Sequence, residues 1–203
     1  ENFVHYTSDL NPLNIYDNAS TMQSIMIPRD CGNIIKLVSF NDYLYVFCEF
    51  GIYRIVTYET KRKNYIEKVY DGMAKIYRET IVFADQKIMF MTSKGLATFN
   101  GIKVTLTDLN ISKIWNELDN LNACAVYANG LYYISCELDF GDNQKVDGET
   151  VTSADRHSLI VVDVEKQKAI VHRGLCVLSL TTIPNERNKV ACVNFSSGTR
   201  TIR

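Results

Sequence analysis

Short stretches of alternating apolar and polar residues recur along most of the chain, and turn-forming residues separate them. Ile34–Phe40 and Tyr43–Glu49 show this pattern on either side of Asn41-Asp42. Asparagine and aspartate tolerate the positive φ of a two-residue hairpin turn, so these stretches predict a pair of antiparallel strands. Two further stretches, Ile52–Thr57 and Tyr65–Tyr70, flank a basic turn. The pattern therefore predicts a four-stranded antiparallel meander in this part of the chain.

The same unit recurs at a fixed interval. Asn41, Asp85 and Asn129 follow one another every 44 residues, and Gly51 is matched by Gly95. A repeat of this length is typical of propeller blades, which have four strands in about 40–50 residues. The pattern predicts a second unit, a third unit and an incomplete fourth unit, with these strands: Thr80–Ala84, Lys87–Thr92, Gly95–Asn100, Lys103–Thr107, Ala123–Tyr127, Leu131–Leu138, Ser158–Val164, Lys168–His172, Leu175–Thr182, Lys189–Phe195 and Thr199–Ile202.

We therefore expect an all-β fold, a β-propeller-like array of about four four-stranded antiparallel blades, either closed by itself or part of a larger propeller. The blades would span residues 33–203. Residues 1–32 show weak periodicity and predict an irregular N-terminal arm with one strand at Ser24–Ile27. Two breaks interrupt the array. Apolar residues at helical spacing near 109–118 predict one short inserted helix anchored by Trp115, and a long polar loop is predicted over 139–156.

Composition is that of an ordinary globular protein. Of the 203 residues, 46% are hydrophobic and 22% are charged, and the net charge of −1 argues against a general nucleic-acid binder. No apolar run approaches the roughly 18 residues of a membrane span, and Glu1–His5 does not resemble a signal peptide. The missing initiator methionine indicates a processed chain, a trimmed chain or a fragment. The six cysteines include no Cys-x-x-Cys pair and indicate reduced structural thiols, with a disulfide framework or a zinc site as alternatives.

No catalytic or cofactor-binding motif is present in the sequence. His5, His157 and His172 lack the spacing of zinc enzymes, and there is no P-loop, no G-x-G-x-x-G and no G-x-S-x-G. We therefore expect no enzyme activity, no cofactor and no metal site. The acidic residues of the polar loop do not match the EF-hand pattern, which leaves calcium binding there as the alternative to a solvated hairpin.

Two charged segments are predicted as interaction elements. Lys61, Arg62 and Lys63 lie at a predicted hairpin tip, where they are either solvated or in contact with a phosphate or an acidic partner. A second set lies in the polar loop, whose length is typical of functional loops, and consists of Asp142, Asp147 and Glu149. Many of the 12 tyrosines lie on predicted strands; those that face inward fill blade interfaces, and those that face outward suit contact with a protein or a glycan.

Two segments resemble a known class of proteins. Met89–Asp108 contains a strand, a glycine, a second strand, Asn100-Gly101 and a third strand, and Ala123–Ser135 adds a tyrosine-rich strand pair after the predicted helix. This order is similar to the blades of β-propeller proteins in tailed-phage virions, such as stabilisation proteins and head–tail neck or tail hub proteins. The resemblance covers residues 34–138. It implies a structural role in a virion and no catalytic residues.

The sequence thus favours a non-enzymatic structural or interaction protein, with a phage or prophage virion component as the first hypothesis. Such a protein would act as a rigid docking scaffold at the head–tail connection or in the tail. It would bind protein subunits of a larger assembly, including further copies of itself, and would be found in the virion or the bacterial cytoplasm. A cytosolic β-propeller scaffold that binds a protein is one alternative, and a glycan-active hydrolase or lyase on a propeller is the other.

Overall fold

A computed structural model describes residues 2–6, 24–58, 63–109, 111, 115, 122–138, 145–146, 149–150, 157–175, 177–184, 186, 189–196 and 199–202. Within these residues the chain is nearly all-β and divides into two compact units, residues 1–73 and 74–203. Three sheets have four antiparallel strands each. The predicted all-β class built from four-stranded antiparallel sheets is therefore confirmed.

The first unit contains one four-stranded sheet and one two-stranded sheet. Its strands are β1 (Asn2–His5), β2 (Ser24–Ile27), β3 (Ile34–Phe40), β4 (Tyr43–Cys48), β5 (Gly51–Tyr58) and β6 (Lys63–Asp71). Strands β3 to β6 pair in chain order and form the first sheet, whereas β1 and β2 pair with each other. A 3-10 turn at Arg29–Cys31 connects β2 to the first sheet.

Strands β1 and β2 contribute to the core of the first unit. Val4 of β1 and Ile27 of β2 pack with Cys31, Val46 and Tyr53. The strand predicted at Ser24–Ile27 is confirmed with the same bounds, and the structure adds β1, which the sequence pattern does not predict. The reason is that β1 pairs with a strand far along the chain, and such pairing leaves no signal in the local pattern.

The second unit contains three further sheets and a short strand pair. Its strands are β7 (Val82–Ala84), β8 (Lys87–Thr92), β9 (Gly95–Phe99), β10 (Val104–Leu106), β11 (Cys124–Ala128), β12 (Leu131–Glu137), β13 (Lys145–Val146), β14 (Glu149–Thr150), β15 (His157–Asp163), β16 (Lys168–Arg173), β17 (Val177–Thr182), β18 (Val190–Ser196) and β19 (Thr199–Ile202). The second sheet has the order β7-β8-β9-β10 and the third has the order β11-β12-β15-β16. The fourth sheet has three described strands, β17-β18-β19.

The repeat of 44 residues corresponds to one recurring turn. Asn41, Asp85 and Asn129 each follow the first strand of a sheet, and their φ angles are 48°, 55° and 49°. This left-handed conformation is unfavourable for most residues and least so for glycine, asparagine and aspartate. The repeated asparagine or aspartate is therefore explained by the backbone conformation of the turn between the first two strands.

The second and third sheets share one hydrophobic core. Met89 and Leu96 of the second sheet are buried together with Tyr132, Ile134 and Ile160 of the third. In both sheets these residues alternate with side chains that point to the other face. Two four-stranded meanders that pack face to face in this way are typical of neighbouring blades.

The structure describes the two predicted breaks only in part. Most of the helix predicted near 109–118 lies outside the described residues; of its apolar positions, Leu109 and Ile111 are buried and Trp115 packs against the core of the second unit. The loop predicted over 139–156 contains a short antiparallel pair, in which Val146 of β13 lies opposite Glu149 of β14. This short antiparallel pair agrees with the hairpin expected within the loop.

Candidate interaction surfaces

One face of the first sheet presents tyrosines around an ion pair. The register places Tyr45 opposite Arg54 and Arg54 opposite Glu67, and alternation brings Tyr43 and Tyr65 to the same face. Arg54 forms an ion pair with Glu67, and its guanidinium lies 4.6 Å from the centre of the Tyr43 ring. Tyr43 is 37% exposed and Tyr65 is 58% exposed. We call Tyr43, Arg54, Tyr65 and Glu67 the tyrosine face.

Contacts link Tyr43, Arg54 and Glu67 on this face, and Arg54 remains charged at neutral pH. Hydrogen bonding to Glu67 raises the pKa of Arg54, so the guanidinium stays protonated. Beneath it Tyr45 is buried, and its ring lies edge-on to Tyr43 at a centroid distance of 6.3 Å. Cation–π and edge-to-face contacts of this kind fix side chains before any partner arrives. The face can therefore offer aromatic area, a guanidinium and a carboxylate, and contacts with one another hold Tyr43, Arg54 and Glu67 in place.

The opposite face of the first sheet has a polar cluster at its edge. The Tyr53 hydroxyl and the Lys68 ammonium both donate hydrogen bonds to Asp30, which lies in the 3-10 turn. Lys68 also donates to Asp71 at 3.0 Å. The 3-10 turn is thus tied to two strands of the sheet, and the lysine lies between two carboxylates. These hydrogen bonds are enough to explain the position of the 3-10 turn, so no bound ligand needs to be invoked for it.

The pKa shifts of Asp30, Cys31 and Cys48 fit a structural role for these residues and not a reactive one. The hydrogen bond from Lys68, followed by the bond from Tyr53, lowers the pKa of Asp30. Burial raises the pKa of the Cys31 thiol, and it raises the pKa of Cys48 to about 12. The thiolate is the reactive form of cysteine, so both thiols are unreactive at neutral pH. All described cysteines are free thiols, and Cys176 lies outside the described residues.

We predict that the Asp30→Asn substitution destabilises the first unit in a pH-dependent manner. Because the pKa of Asp30 is lowered on folding, its contribution to stability is present above the unfolded value of about 4 and is lost as the pH falls through the lower folded value. The difference in unfolding midpoint between wild type and variant should therefore be largest near neutral pH and should shrink below about pH 4. Urea unfolding followed by circular dichroism between pH 2 and 7 measures it. A difference that does not change with pH would contradict the assignment.

Hydrogen bonds also join the sheets of the second unit. The Tyr132 hydroxyl donates to the carbonyl oxygen of Thr80 at 2.8 Å, and the Tyr127 hydroxyl donates to Asp85 in the recurring turn. Trp115 donates its ring N–H to the carbonyl oxygen of Thr92 at 3.2 Å. Each side chain is also part of the hydrophobic core or packs against it. This agrees with the predicted packing role of Trp115.

The structure leaves most of the predicted charged sites undescribed. Lys61, Arg62, Asp142 and Asp147 lie outside the described residues. Lys63 begins β6 and Glu149 begins β14, and only their backbones are described. The two predicted interaction elements therefore remain predictions.

The tyrosine face was not predicted as a site. Tyr43, Tyr45 and Tyr53 were recognised as strand residues, but the sequence does not say which of them share a face with a charge pair. Arg54 and Glu67 are 13 positions apart, and they meet only because β5 pairs with β6 in one register. A signal was available in the sequence, because Arg54 lies between two apolar residues of the strand, Tyr53 and Ile55, which are both buried.

The second unit contains one small cleft among its described residues. A cleft of about 100 Å³ between the second and third sheets is lined by polar side chains that include Lys87, Thr98, Asp108 and Gln167. Drug-sized ligands occupy pockets of about 300–1,000 Å³, so this cleft suits a few water molecules. In the described ranges no group of three or more histidine, cysteine, aspartate or glutamate side chains is placed to hold a metal ion. No described helix is long and apolar enough to cross a membrane.

Comparison with known proteins assigns no family. A scan against protein-family models and a search of curated proteins find no match to the chain. Among solved structures the chain is similar to one described as "AfRom2 CNH domain", at 8% sequence identity and a TM-score of 0.33, with 92% of this chain and 67% of that chain covered. A similarity of this degree supports no conclusion about family or function.

Proposed function

We propose that this protein is a non-enzymatic docking scaffold built into the virion of a tailed phage or prophage, at the head–tail connection or in the tail. The observation that carries the proposal is the tyrosine face, where exposed Tyr43 and Tyr65 flank the Arg54–Glu67 ion pair. Tyrosine and arginine are enriched among the residues that dominate protein–protein binding energy. A sheet that holds them in place lowers the entropy cost of association.

The location in a virion is supported by the resemblance of Met89–Asp108 and Ala123–Ser135 to the blades of tailed-phage propellers. A repeated four-stranded unit with a shared core also suits a protein whose role is to dock neighbouring subunits and not to catalyse a reaction. The fold alone is compatible with many functions, so the virion assignment needs a direct test.

Quantitative mass spectrometry of phage particles tests the proposal. Particles induced from the strain that encodes the chain should contain it at a constant copy number per particle. Replacing Tyr43 and Tyr65 together by alanine should lower incorporation about tenfold or more, because each truncated hot-spot residue typically costs more than 1 kcal/mol. Leu37→Ala is the matched control, since Leu37 is exposed on the opposite face of the same sheet. Absence of the chain from particles, with a stable protein complex in the cytoplasm, would favour the cytosolic scaffold.

A further inference from the structure

The charges of the tyrosine face balance one another. Arg54 and Glu67 lie opposite each other in the register of β5 and β6, and their side chains are 23% and 43% exposed. The whole chain has 22 basic and 23 acidic residues, so two copies of it do not repel each other at long range. A balanced patch favours neither a strongly acidic nor a strongly basic partner. It fits a surface that also offers both a guanidinium and a carboxylate.

An exposed tyrosine and a half-buried valine lie beside this ion pair. The register aligns Val56 of β5 with Tyr65 of β6. Alternation along the two strands places Val56 on the same side of the sheet as Arg54, and Tyr65 on the same side as Glu67. Val56 is half-buried and Tyr65 is exposed. An exposed ring is therefore next to an apolar position that a second ring could cover.

These positions are arranged so that a second copy of the chain complements them. Sheets that pack face to face lie about 10 Å apart. A two-fold axis midway between two such sheets, parallel to the strands and between β5 and β6, places Arg54 of each copy opposite Glu67 of the other. The same rotation places Tyr65 of each copy over Val56 of the other. An isologous interface needs one patch that supplies both halves of every contact, and this patch does so.

The ion pair can accept a second pair without being broken. It joins the Nη2 atom of Arg54 to the Oε2 atom of Glu67. A guanidinium has five N–H donors and a carboxylate accepts hydrogen bonds at both oxygens, so each group can bind a further partner while it keeps the first. Two such pairs that meet across an interface form a network of four charges. Networks contribute more to stability than isolated surface pairs.

We infer that the tyrosine face is the interface of a symmetric dimer, in which the partner is a second copy of this chain. The inference rests on the proposed docking function and names the partner of that face. Arg54 and Glu67 form ion pairs across the two-fold axis, and Tyr65 of each copy covers Val56 of the other. Tyr43, whose ring centre lies 4.6 Å from the guanidinium, holds Arg54 in position for this contact.

Charge reversal in separate copies tests the inference. Arg54→Glu leaves two acidic side chains at the centre of the face, and Glu67→Arg leaves two basic ones. Each variant alone should dimerise with a dissociation constant at least about tenfold higher than that of the wild type, because like charges then meet. An equimolar mixture of the two should form a heterodimer at least about tenfold tighter than either homodimer, since every contact then joins opposite charges. Sedimentation velocity over a range of protein concentrations measures all three.

Two further variants keep the test valid if a single charge reversal prevents folding. The double variant Arg54→Glu/Glu67→Arg keeps an ion pair within the chain and should restore the homodimer. Tyr65→Ala leaves the charges unchanged and should raise the dissociation constant about tenfold. Its matched control is Tyr6→Ala, since Tyr6 is 41% exposed in the first unit but follows β1 and lies outside the first sheet. Circular dichroism shows whether each variant is folded.

Every other outcome overturns the inference. A wild-type chain that stays monomeric has no such dimer, and variants that dimerise as tightly as the wild type show that the dimer uses another surface. Equal effects of Tyr65→Ala and Tyr6→Ala lead to the same conclusion. These failures can be told apart from a failure of the proposed function. A monomeric chain that enters phage particles through the tyrosine face keeps the docking proposal, and a dimeric chain that is absent from particles keeps the dimer.

Discussion

Replacing Tyr132 by alanine is expected to destabilise the second unit by about 3–5 kcal/mol, the usual cost of removing a large buried aromatic ring. Tyr132 is fully buried in the core shared by the second and third sheets. Its removal leaves a cavity between the two sheets and also leaves the carbonyl oxygen of Thr80 without its hydrogen bond at 2.8 Å. The phenylalanine variant isolates the second effect and should cost about 1–3 kcal/mol.

Urea unfolding followed by the fluorescence of Trp115 measures both effects, because the chain has a single tryptophan and it packs against this core. The adjacent Tyr133 provides the control, since it points to the other face and is half-buried. Its alanine variant should cost clearly less than the alanine variant of Tyr132. Equal costs for the two tyrosines would mean that the shared core is not where the structure places it.

Replacing Gly51 by alanine is expected to cost about 1–3 kcal/mol, the usual price of overpacking. A β-carbon at this position would lie 2.5 Å from the sulfur of Cys31 and 2.7 Å from the carbonyl oxygen of Tyr70. The carbonyl oxygen belongs to the backbone of β6, so it can move aside only if the strand itself shifts, at a cost in free energy. The repeat-related Gly95 has open space around it and a φ of 142°, so Gly95→Ala should destabilise through backbone strain instead.

A double-mutant cycle separates the two causes. Cys31→Ala removes the sulfur nearest to the new methyl group, so it should partly rescue Gly51→Ala with a coupling of at least about 0.5 kcal/mol. The same substitution should leave the cost of Gly95→Ala unchanged. Thermal and urea unfolding of the single and double variants give the four free energies. Additive costs for Gly51 and Cys31 would show that their contact is not the reason for the glycine.

The strands could be predicted from the sequence because their signals are local. The strands at Ile34–Phe40 and Lys87–Thr92 have the predicted bounds, since turn residues with positive φ follow or precede an alternating run. Strand β1 could not be predicted in this way, because Asn2 pairs with Ile27 and nothing within its four residues indicates that partner. The glycines at 51 and 95 show the same limit. They occupy equivalent positions in the repeat, but the physical reason for having a glycine differs: a β-carbon would clash at position 51, whereas the backbone has a positive φ at position 95.

The candidate surfaces depend on register, which the sequence does not determine. A bulge between Ile52 and Tyr53 shifts the pairing of β5 with β6, so that Tyr53 lies opposite Lys68. Without this one-residue shift the hydroxyl and the ammonium would not both reach Asp30. A one-residue change in pairing moves side chains to the other face of a sheet. The residues of a surface can therefore be recognised in the sequence individually, but their grouping follows from tertiary structure.

The meander order of the sheets has a consequence for how the chain folds. In the first and second sheets every strand pairs with its neighbour in the chain, so these contacts close short loops and are expected to form early. The third sheet is different, because β12 pairs with β15 across the segment that contains β13 and β14. Closing this longer loop costs more chain entropy than the neighbouring hairpins. We expect the pairing of β12 with β15 to be the slow step of the third sheet, so a shortened insert should speed refolding more than it changes stability.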